Sequence, residues 1–234
     1  MQHVDSTLDQ LAHRRATLPE LKEIAALTAT RGELRDKIVA AETEESDIDR
    51  EVRKAEADVE QVRARAERDQ KRMDAGQVSS PKELENLQHE IASLAKRQGD
   101  LEEAELEVMQ RLEDVQTLLV KLREEQADVD QRLADTGAAR DAAFAAIDAE
   151  VAELKEQRAE FVPQVPEDLL ALYTKLRTSN DGLGAAALRQ RRCEGCRLEL
   201  NNTEINRIRD AASDEVMRCE ECGRILVRTA DSGL

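Results

Sequence analysis

The sequence predicts a mainly α-helical protein, in which a long antiparallel coiled-coil helical hairpin is followed by a small β domain. Aromatic residues make up only 1% of the 234 residues and charged residues 37%, a composition typical of long helices rather than of a large packed core. Over about the first 160 residues, apolar side chains recur every three or four positions, which is the spacing of a coiled-coil seam. All four cysteines lie beyond residue 190, where that pattern has stopped.

Two apolar seams predict the two arms of the hairpin. The first seam runs through residues 34–73 and is interrupted only by Glu45 and Asp69, and the second runs through residues 84–133 and continues more weakly to residue 154. Acids inside a seam set the register, mark a partner site or are solvent-facing defects, and we favour the defect. At 1.5 Å per residue, arms of about 75–80 residues would form a rod of about 110 Å.

A turn is expected near residues 74–81, between the two seams. Gly76 suits the end of a helix, and Ser80, Pro81 and Glu83 suit the N-cap, first position and third position of the next one. Arms of matched length joined by a short turn pair antiparallel within one chain. A parallel dimer would leave the turn unexplained.

A helix break is expected near residues 17–19, because Pro19 restarts a helix that began near residue 2. If opposed residues sum to about 155, as the turn implies, this break lies opposite a weak point at Thr136 and Gly137. We expect the hairpin to span residues 1–162 and a connecting short helix and loop to span residues 163–184.

The two cysteine pairs predict a metal site. Two residues separate Cys193 from Cys196 and Cys219 from Cys222, and 22 residues lie between the pairs. Two such turns bring four thiolates to one ion, the tetrahedral arrangement of a structural Zn²⁺. A disulfide or a redox dithiol needs another compartment or a thioredoxin-like setting, and iron in the same geometry is not distinguished by sequence. We predict one structural zinc ion in a C4-type ribbon over residues 185–234.

The ribbon is expected to hold three strands and one helix. The strands are expected over residues 185–191, 215–218 and 224–228, and the helix over residues 202–212. Asn202 or Thr203 would cap that helix. Gly223 frees the backbone after the last cysteine, so that amide groups can point at sulfur.

Three stretches carry a resemblance to a known family: residues 219–226 (CEECGRIL), 166–173 (PEDLLALY) and 82–90 (KELENLQHE). With the overall pattern, they make the chain similar to the bacterial coiled-coil hairpin proteins with a C-terminal C4-type zinc ribbon. The resemblance implies a hairpin with the ribbon at its base. It also implies partners that vary between lineages, namely the alternative sigma factor sigma-54, secretion or flagellar components, or RNA. The residue after Arg-Ile-Leu is often aromatic in the family but is Val227 here, which removes a side chain for base stacking.

The first functional hypothesis is a non-enzymatic adaptor or scaffold that makes protein contacts through the coiled coil and the ribbon. No phosphate-binding loop and no isolated pair of catalytic carboxylates is visible in the sequence. No apolar stretch is long enough to span a membrane and the first residues do not resemble a secretory signal. We therefore expect a cytoplasmic protein without membrane contact, as a monomer or weak dimer.

The alternative is a regulatory protein that binds RNA or DNA. The net charge of −16 disfavours polyanions overall, and residues 189–228 carry nine arginines against eight acids, so a nucleic-acid contact must be local. The ribbon has no aromatic residue to stack a base. The candidate contacts for nucleic acid or a protein partner are Arg189, Arg191, Arg192, Arg207, Arg209 and Arg224.

Overall fold

The structure, a computed structural model, describes all 234 residues and is mainly α-helical, with a small sheet near the C-terminus. Its chain divides into two compact units, Glu23–Thr136 and Met1–Lys22 with Gly137–Leu234. No helix carries an apolar stretch that is long enough to cross a membrane. The elements are α1 (Gln2–Ala16), α2 (Pro19–Asp74), α3 (Pro81–Phe161), a 3₁₀ turn (Val162–Gln164), α4 (Glu167–Ser179), β1 (Ala185–Arg189), β2 (Arg192–Cys193), α5 (Asn202–Asp210), β3 (Met217–Arg218) and β4 (Ile225–Val227).

The Glu23–Thr136 unit is an antiparallel pair of helices whose apolar seams face each other. Ile48 of α2 and Leu119 of α3 are each only 2% exposed, and burying such a side chain contributes about 1.5–3 kcal/mol. Ion pairs between exposed side chains flank the seam and each contribute little. The buried seam residues are Leu27, Leu34, Ile38, Ala41, Ile48, Val52, Val115, Leu119, Leu122 and Val129.

The turn between α2 and α3 combines a glycine end with a capped start. Gly76 adopts φ 64°, and the amides of Gly76 and Gln77 donate to carbonyls of the last turn of α2 at 3.1 and 3.2 Å, as in a Schellman motif. The Ser80 hydroxyl accepts from the Glu83 amide at 3.2 Å. The Glu83 carboxylate accepts from the Ser79 amide at 2.9 Å and from its hydroxyl at 2.6 Å. Chain reversal is therefore specified by local hydrogen bonds.

The predicted weak point at Thr136 and Gly137 is not a break, because α3 continues through it to Phe161. One glycine costs a helix about 1 kcal/mol, too little to interrupt a long packed one. The stretch facing the end of α1 lies further along, where the Arg15 guanidinium stacks over Phe144 at 4.2 Å. The sum of 155 expected from the turn is therefore too small here, and it is already too small in the middle of the arms, where Glu51 pairs with Arg111.

A buried carboxylate joins three helices of the other unit. Asp5 of α1 is fully buried. It accepts a hydrogen bond from the Arg158 Nε of α3 at 2.7 Å and from the Tyr173 hydroxyl of α4 at 2.6 Å. Burial and this bond to Asp5 raise the pKa of Tyr173. A buried charge persists only when it is paired and hydrogen-bonded, and Asp5 meets both conditions.

The Gln2 side chain fixes the loop that leads into the sheet. Its Oε1 accepts from the amides of Gly184 and Ala185 at 2.8 and 3.1 Å, and its Nε2 donates to the Gly182 carbonyl at 2.9 Å. Three backbone groups that no strand or helix satisfies are thus paired by one amide.

The sheet has four strands in the order β2-β1-β4-β3, rather than the three expected. β1 pairs antiparallel with β2 and parallel with β4, and β3 pairs antiparallel with β4. The strand predicted over residues 185–191 stops at Arg189, because Gln190 and Arg191 form a tight turn with φ 45° and 63°. Positive φ at both central residues defines the hairpin turn that returns the chain as β2.

Candidate metal centre

The four predicted ligands, Cys193, Cys196, Cys219 and Cys222, converge on one point. All four sulfur atoms lie within 4.8 Å of one another. The Cys193–Cys222 and Cys196–Cys219 sulfur pairs are 3.8 and 3.9 Å apart. A Zn–S bond of 2.3 Å gives a tetrahedron with edges of about 3.8 Å. The donor set therefore fits one zinc ion, which these four cysteines can hold in a tetrahedral site.

Two turns of the same design present the sulfurs. In each turn, the residue after the second cysteine donates its amide to the carbonyl of the first, Arg197 to Cys193 at 2.7 Å and Gly223 to Cys219 at 2.8 Å. Both donors adopt positive φ, 62° and 69°. Glycine adopts this conformation without the cost of roughly 1–2 kcal/mol that a side chain brings, so Arg197 is strained where Gly223 is not.

The thiols differ in their tendency to ionise. Burial raises the pKa of Cys193 and of Cys219, although amides of their own turns point at each sulfur. At Cys222 burial acts in the same direction, but the backbone and guanidinium N–H groups of Arg224 help to lower the pKa to about 7. A bound Zn²⁺ supplies the positive charge that holds coordinating thiols deprotonated.

Helix α5 supports the second cysteine turn. Its Ile205 and Ile208 are 1% and 0% exposed. The buried carboxylate of Glu204 accepts from the Glu220 amide, between the two cysteines, at 3.1 Å. The N-cap is Asn201, which accepts from the Glu204 amide at 2.8 Å, and not Asn202 or Thr203. Asn201 is the last extended residue, so its side chain reaches the third helical amide.

Four of the six candidate arginines have hydrogen-bond or ion-pair partners within the protein, and two do not. Arg224 donates to the carbonyls of Leu183 and Asn180 at 2.9 and 3.3 Å and so holds the loop before β1. Arg191, Arg207 and Arg209 contact Asn202, Glu220 and Asn206 respectively. Arg189 and Arg192 are opposed residues of the β1–β2 hairpin and are exposed. Neither makes an ion pair or side-chain hydrogen bond, and opposed residues of a hairpin share one face.

Sequence reasoning did not identify Glu204 or Asp5 as structural residues. The spacing of Asn201 and Glu204 was the available signal for the first, since an Asn three residues before an acid is typical of a helix start. No local spacing pointed to Asp5, whose partners lie more than 150 positions away.

Paired long helices with a four-cysteine sheet define a class of protein, the coiled-coil hairpin protein with a structural zinc site. The profile of the CT398-like coiled coil hairpin domain matches residues 1–181, and that of the C4-type zinc ribbon domain matches residues 192–226. The chain therefore belongs to the family of CT398-like coiled-coil hairpin proteins with a C4-type zinc ribbon. These matches also identify the metal as zinc, which the cysteine spacing left open.

The chain is similar to several bacterial proteins. It is 34% identical over 225 residues to the uncharacterized protein Rv2229c of Mycobacterium tuberculosis, covering 96% of this chain and 91% of the relative. A solved structure from Mycobacterium smegmatis is 36% identical, with a TM-score of 0.82 and coverage of 97% of this chain and 94% of that one. CT398 from Chlamydia trachomatis is 20% identical, with a TM-score of 0.69 and the same coverage, and is similar in fold.

Proposed function

We propose that the protein is a non-enzymatic zinc-binding adaptor, which contacts other proteins through its coiled coil and its ribbon. The observation that carries this proposal is apolar surface outside the seam. Leu106, Val39 and Val120 of the Glu23–Thr136 unit are 66%, 55% and 55% exposed, although none belongs to the apolar repeat that pairs the helices. Solvated faces of such helices are normally polar. Leu106 lies beside the 45% exposed Met109 in one depression, and exposed apolar side chains that cluster favour contact with a partner.

The zinc site supports a structural rather than a catalytic role. Four thiolates fill the tetrahedral shell, whereas a catalytic zinc keeps one position for water or substrate. His3, His13 and His89 are all exposed and are not part of the cysteine cluster. Reduced cysteines are typical of the cytoplasm, and we place the protein there as a monomer or weak dimer. By family resemblance, we propose partners from transcription or secretion.

Affinity capture tests the adaptor proposal. The zinc-loaded full chain, immobilised in extract from its own cells, should retain at least one protein in near-stoichiometric amount, and nuclease treatment should not release it. The matched bait is the Cys193→Ser variant, which should lose those partners that contact the ribbon and keep those that contact the coiled coil. Retention of nothing above an empty support would contradict the proposal.

A nucleic-acid-binding role is the second candidate, favoured by Arg189 and Arg192. Like charges directly opposite in a hairpin repel one another, and an anion would relieve this repulsion. Nuclease release of the captured material would favour this role, and so would loss of RNA or DNA from Arg189→Ser/Arg192→Ser. The matched control, Lys96→Ser/Arg97→Ser, removes the same charge from exposed positions of α3. Each lost phosphate contact should make the slope of the logarithm of the binding constant against the logarithm of the salt concentration shallower by about 0.7–0.9.

A further inference from the structure

The normal distribution of polar and apolar residues is inverted over a short stretch of the coiled coil. Glu45 occupies a seam position of α2 and is only half-buried. Gln116 of α3 faces it. Within the ten residues before Gln116, Leu106 and Met109 lie outside the seam and are 66% and 45% exposed. A helix pair that only had to bury its seam would place these residue types the other way round. The inversion therefore indicates a second surface beside the seam.

That surface is a groove along one face of the Glu23–Thr136 unit. It consists of two adjoining depressions of about 530 and 270 Å³, which share Leu112 and Gln116. Leu106, Met109 and Val52 line the first depression, which is the apolar end. From Leu106 to Gln116 the groove follows α3 for about 15 Å, enough for two to three turns of a helix laid along it.

Every charged side chain that lines the groove is acidic. The charged residues that line it are Glu42, Glu45, Asp49 and Glu113, without any lysine or arginine. Arg123 and Arg53 pair with Glu42 and Asp49 from outside, but they are largely exposed, so water screens these pairs. Glu45 accepts only from the Gln116 amide, at 3.1 Å, and Glu113 has no cationic partner among the ion pairs of the structure. The groove therefore complements a positively charged ligand.

We propose that this groove binds a basic amphipathic helix of a partner protein, with the partner's apolar stripe on Leu106 and Met109 and its lysines or arginines beside Glu45 and Glu113. The proposal rests on the adaptor function and specifies one of its contact surfaces. A helix in a groove is a recurrent mode of recognition, in which apolar anchors at i, i+3, i+4 and i+7 fit a groove of this kind. Nucleic acid and anionic membranes are repelled by the four carboxylates, and a second copy of this chain would bring its own net charge of −16.

Photo-crosslinking at Leu106 tests the proposal in the full zinc-loaded chain. Benzoylphenylalanine replaces Leu106, or in the matched control Leu118, which is 45% exposed and does not line the groove. After illumination in the native cells, the crosslinked segment is sequenced by mass spectrometry. The expected adduct forms from position 106 and not from position 118, and it maps to a segment with net positive charge and helical apolar spacing.

A synthetic peptide of that segment then provides the binding measurement. Met109→Ser should weaken the peptide at least about tenfold, since burial of one such side chain exceeds the free energy of a tenfold change. Glu45→Gln/Glu113→Gln should weaken it too and reduce its salt dependence, whereas Glu103→Gln/Glu107→Gln at exposed positions beyond the groove should not. An acidic or aperiodic segment, a second copy of this chain, or no adduct at position 106 would overturn the proposal. Adducts from position 118 alone, or a protein retained by affinity capture without an adduct at position 106, would leave the adaptor function standing, whereas the absence of both adducts and retained protein would remove both proposals.

Discussion

At the scale of single residues, the organising feature of the Met1–Lys22 and Gly137–Leu234 unit is the Asp5 carboxylate. It is paired with Arg158 and Tyr173 from two other helices, and Arg177 donates to its backbone carbonyl at 3.4 Å. The same guanidinium bonds Asp9 at 2.6 Å, which is half-exposed. Two acids one turn apart on α1 therefore differ in what their removal should cost.

Asp5→Ala should lower the free energy of unfolding by about 3 kcal/mol, because the partners of a buried charge lose their compensation. Breaking a buried ion pair typically costs about 3–5 kcal/mol, and the lower value is expected here because the Arg158 side chain is 33% exposed and can be hydrated when Asp5 is removed. Asp9→Ala is the matched control and should cost less than about 1 kcal/mol. Denaturant unfolding followed by the fluorescence of Tyr173, the only tyrosine in a chain without tryptophan, measures both. Equal losses would contradict the role given to Asp5.

At the scale of elements, the α2–α3 turn is stabilised by hydrogen bonds between residues that are close in sequence. Hydrogen bonds from the hydroxyl and the amide of Ser79 lower the pKa of the Glu83 carboxyl, and the Arg72 guanidinium adds to this. A carboxyl whose pKa is lower in the folded than in the unfolded state stabilises the fold above its unfolded pKa. That contribution is lost as the pH falls through the folded pKa.

Ser79→Ala should therefore raise the pKa of Glu83 toward its ordinary value, because the hydroxyl donor at 2.6 Å is gone and the amide donor remains. Amide exchange in the first turn of α3 should quicken at the same time. The carboxyl carbon resonance of Glu83 during a pH titration reports the first effect. Ser93→Ala, at an exposed position of α3, should leave the titration unchanged, and a shift of equal size there would refute the assignment to Ser79.

The elements also show what the sequence predicts well. Seams such as Leu34 to Val52 repeat over many turns, and the cysteine spacing is short, so both are visible locally. Asp5 and Arg158 look like any of the 51 acids and 35 basic residues, since their pairing depends on helices that meet only in the folded chain. Strand β2 was missed for a related reason, because its turn uses Gln190 and Arg191 in a conformation more typical of glycine and asparagine.

At the scale of the whole molecule, the zinc site and the helices depend on different interactions. The metal joins two cysteine turns of the sheet, whereas the helices are held by their seams and by the Asp5 cluster, which contain no cysteine. Small zinc domains of this kind are unfolded without metal.

Removal of zinc by a chelator, or Cys193→Ser, should therefore unfold the ribbon and leave most of the helix content. Limited proteolysis should cut within residues 185–234 first, while the far-ultraviolet circular dichroism retains most of its helical signal. Added Zn²⁺ should restore protease resistance to the wild-type chain. Val216→Ser, at a 43% exposed position of the ribbon, is the control and should stay resistant. A ribbon that resists cleavage after verified zinc loss would show that the metal is not structural.

The contacts of Gln2 and Asp5 also bear on how the protein is made. Gln2 bonds Gly184, 182 positions later, and Asp5 bonds Arg158, 153 positions later. At about 5–20 residues per second, a ribosome needs on the order of ten seconds or more to supply these partners. During that interval, Val4 and Leu11, each 5% exposed in the folded chain, have no surface to cover them. The apolar side chains of helix α1 therefore stay exposed to solvent, and accessible to chaperones and proteases, until the ribosome has released the segments that cover them.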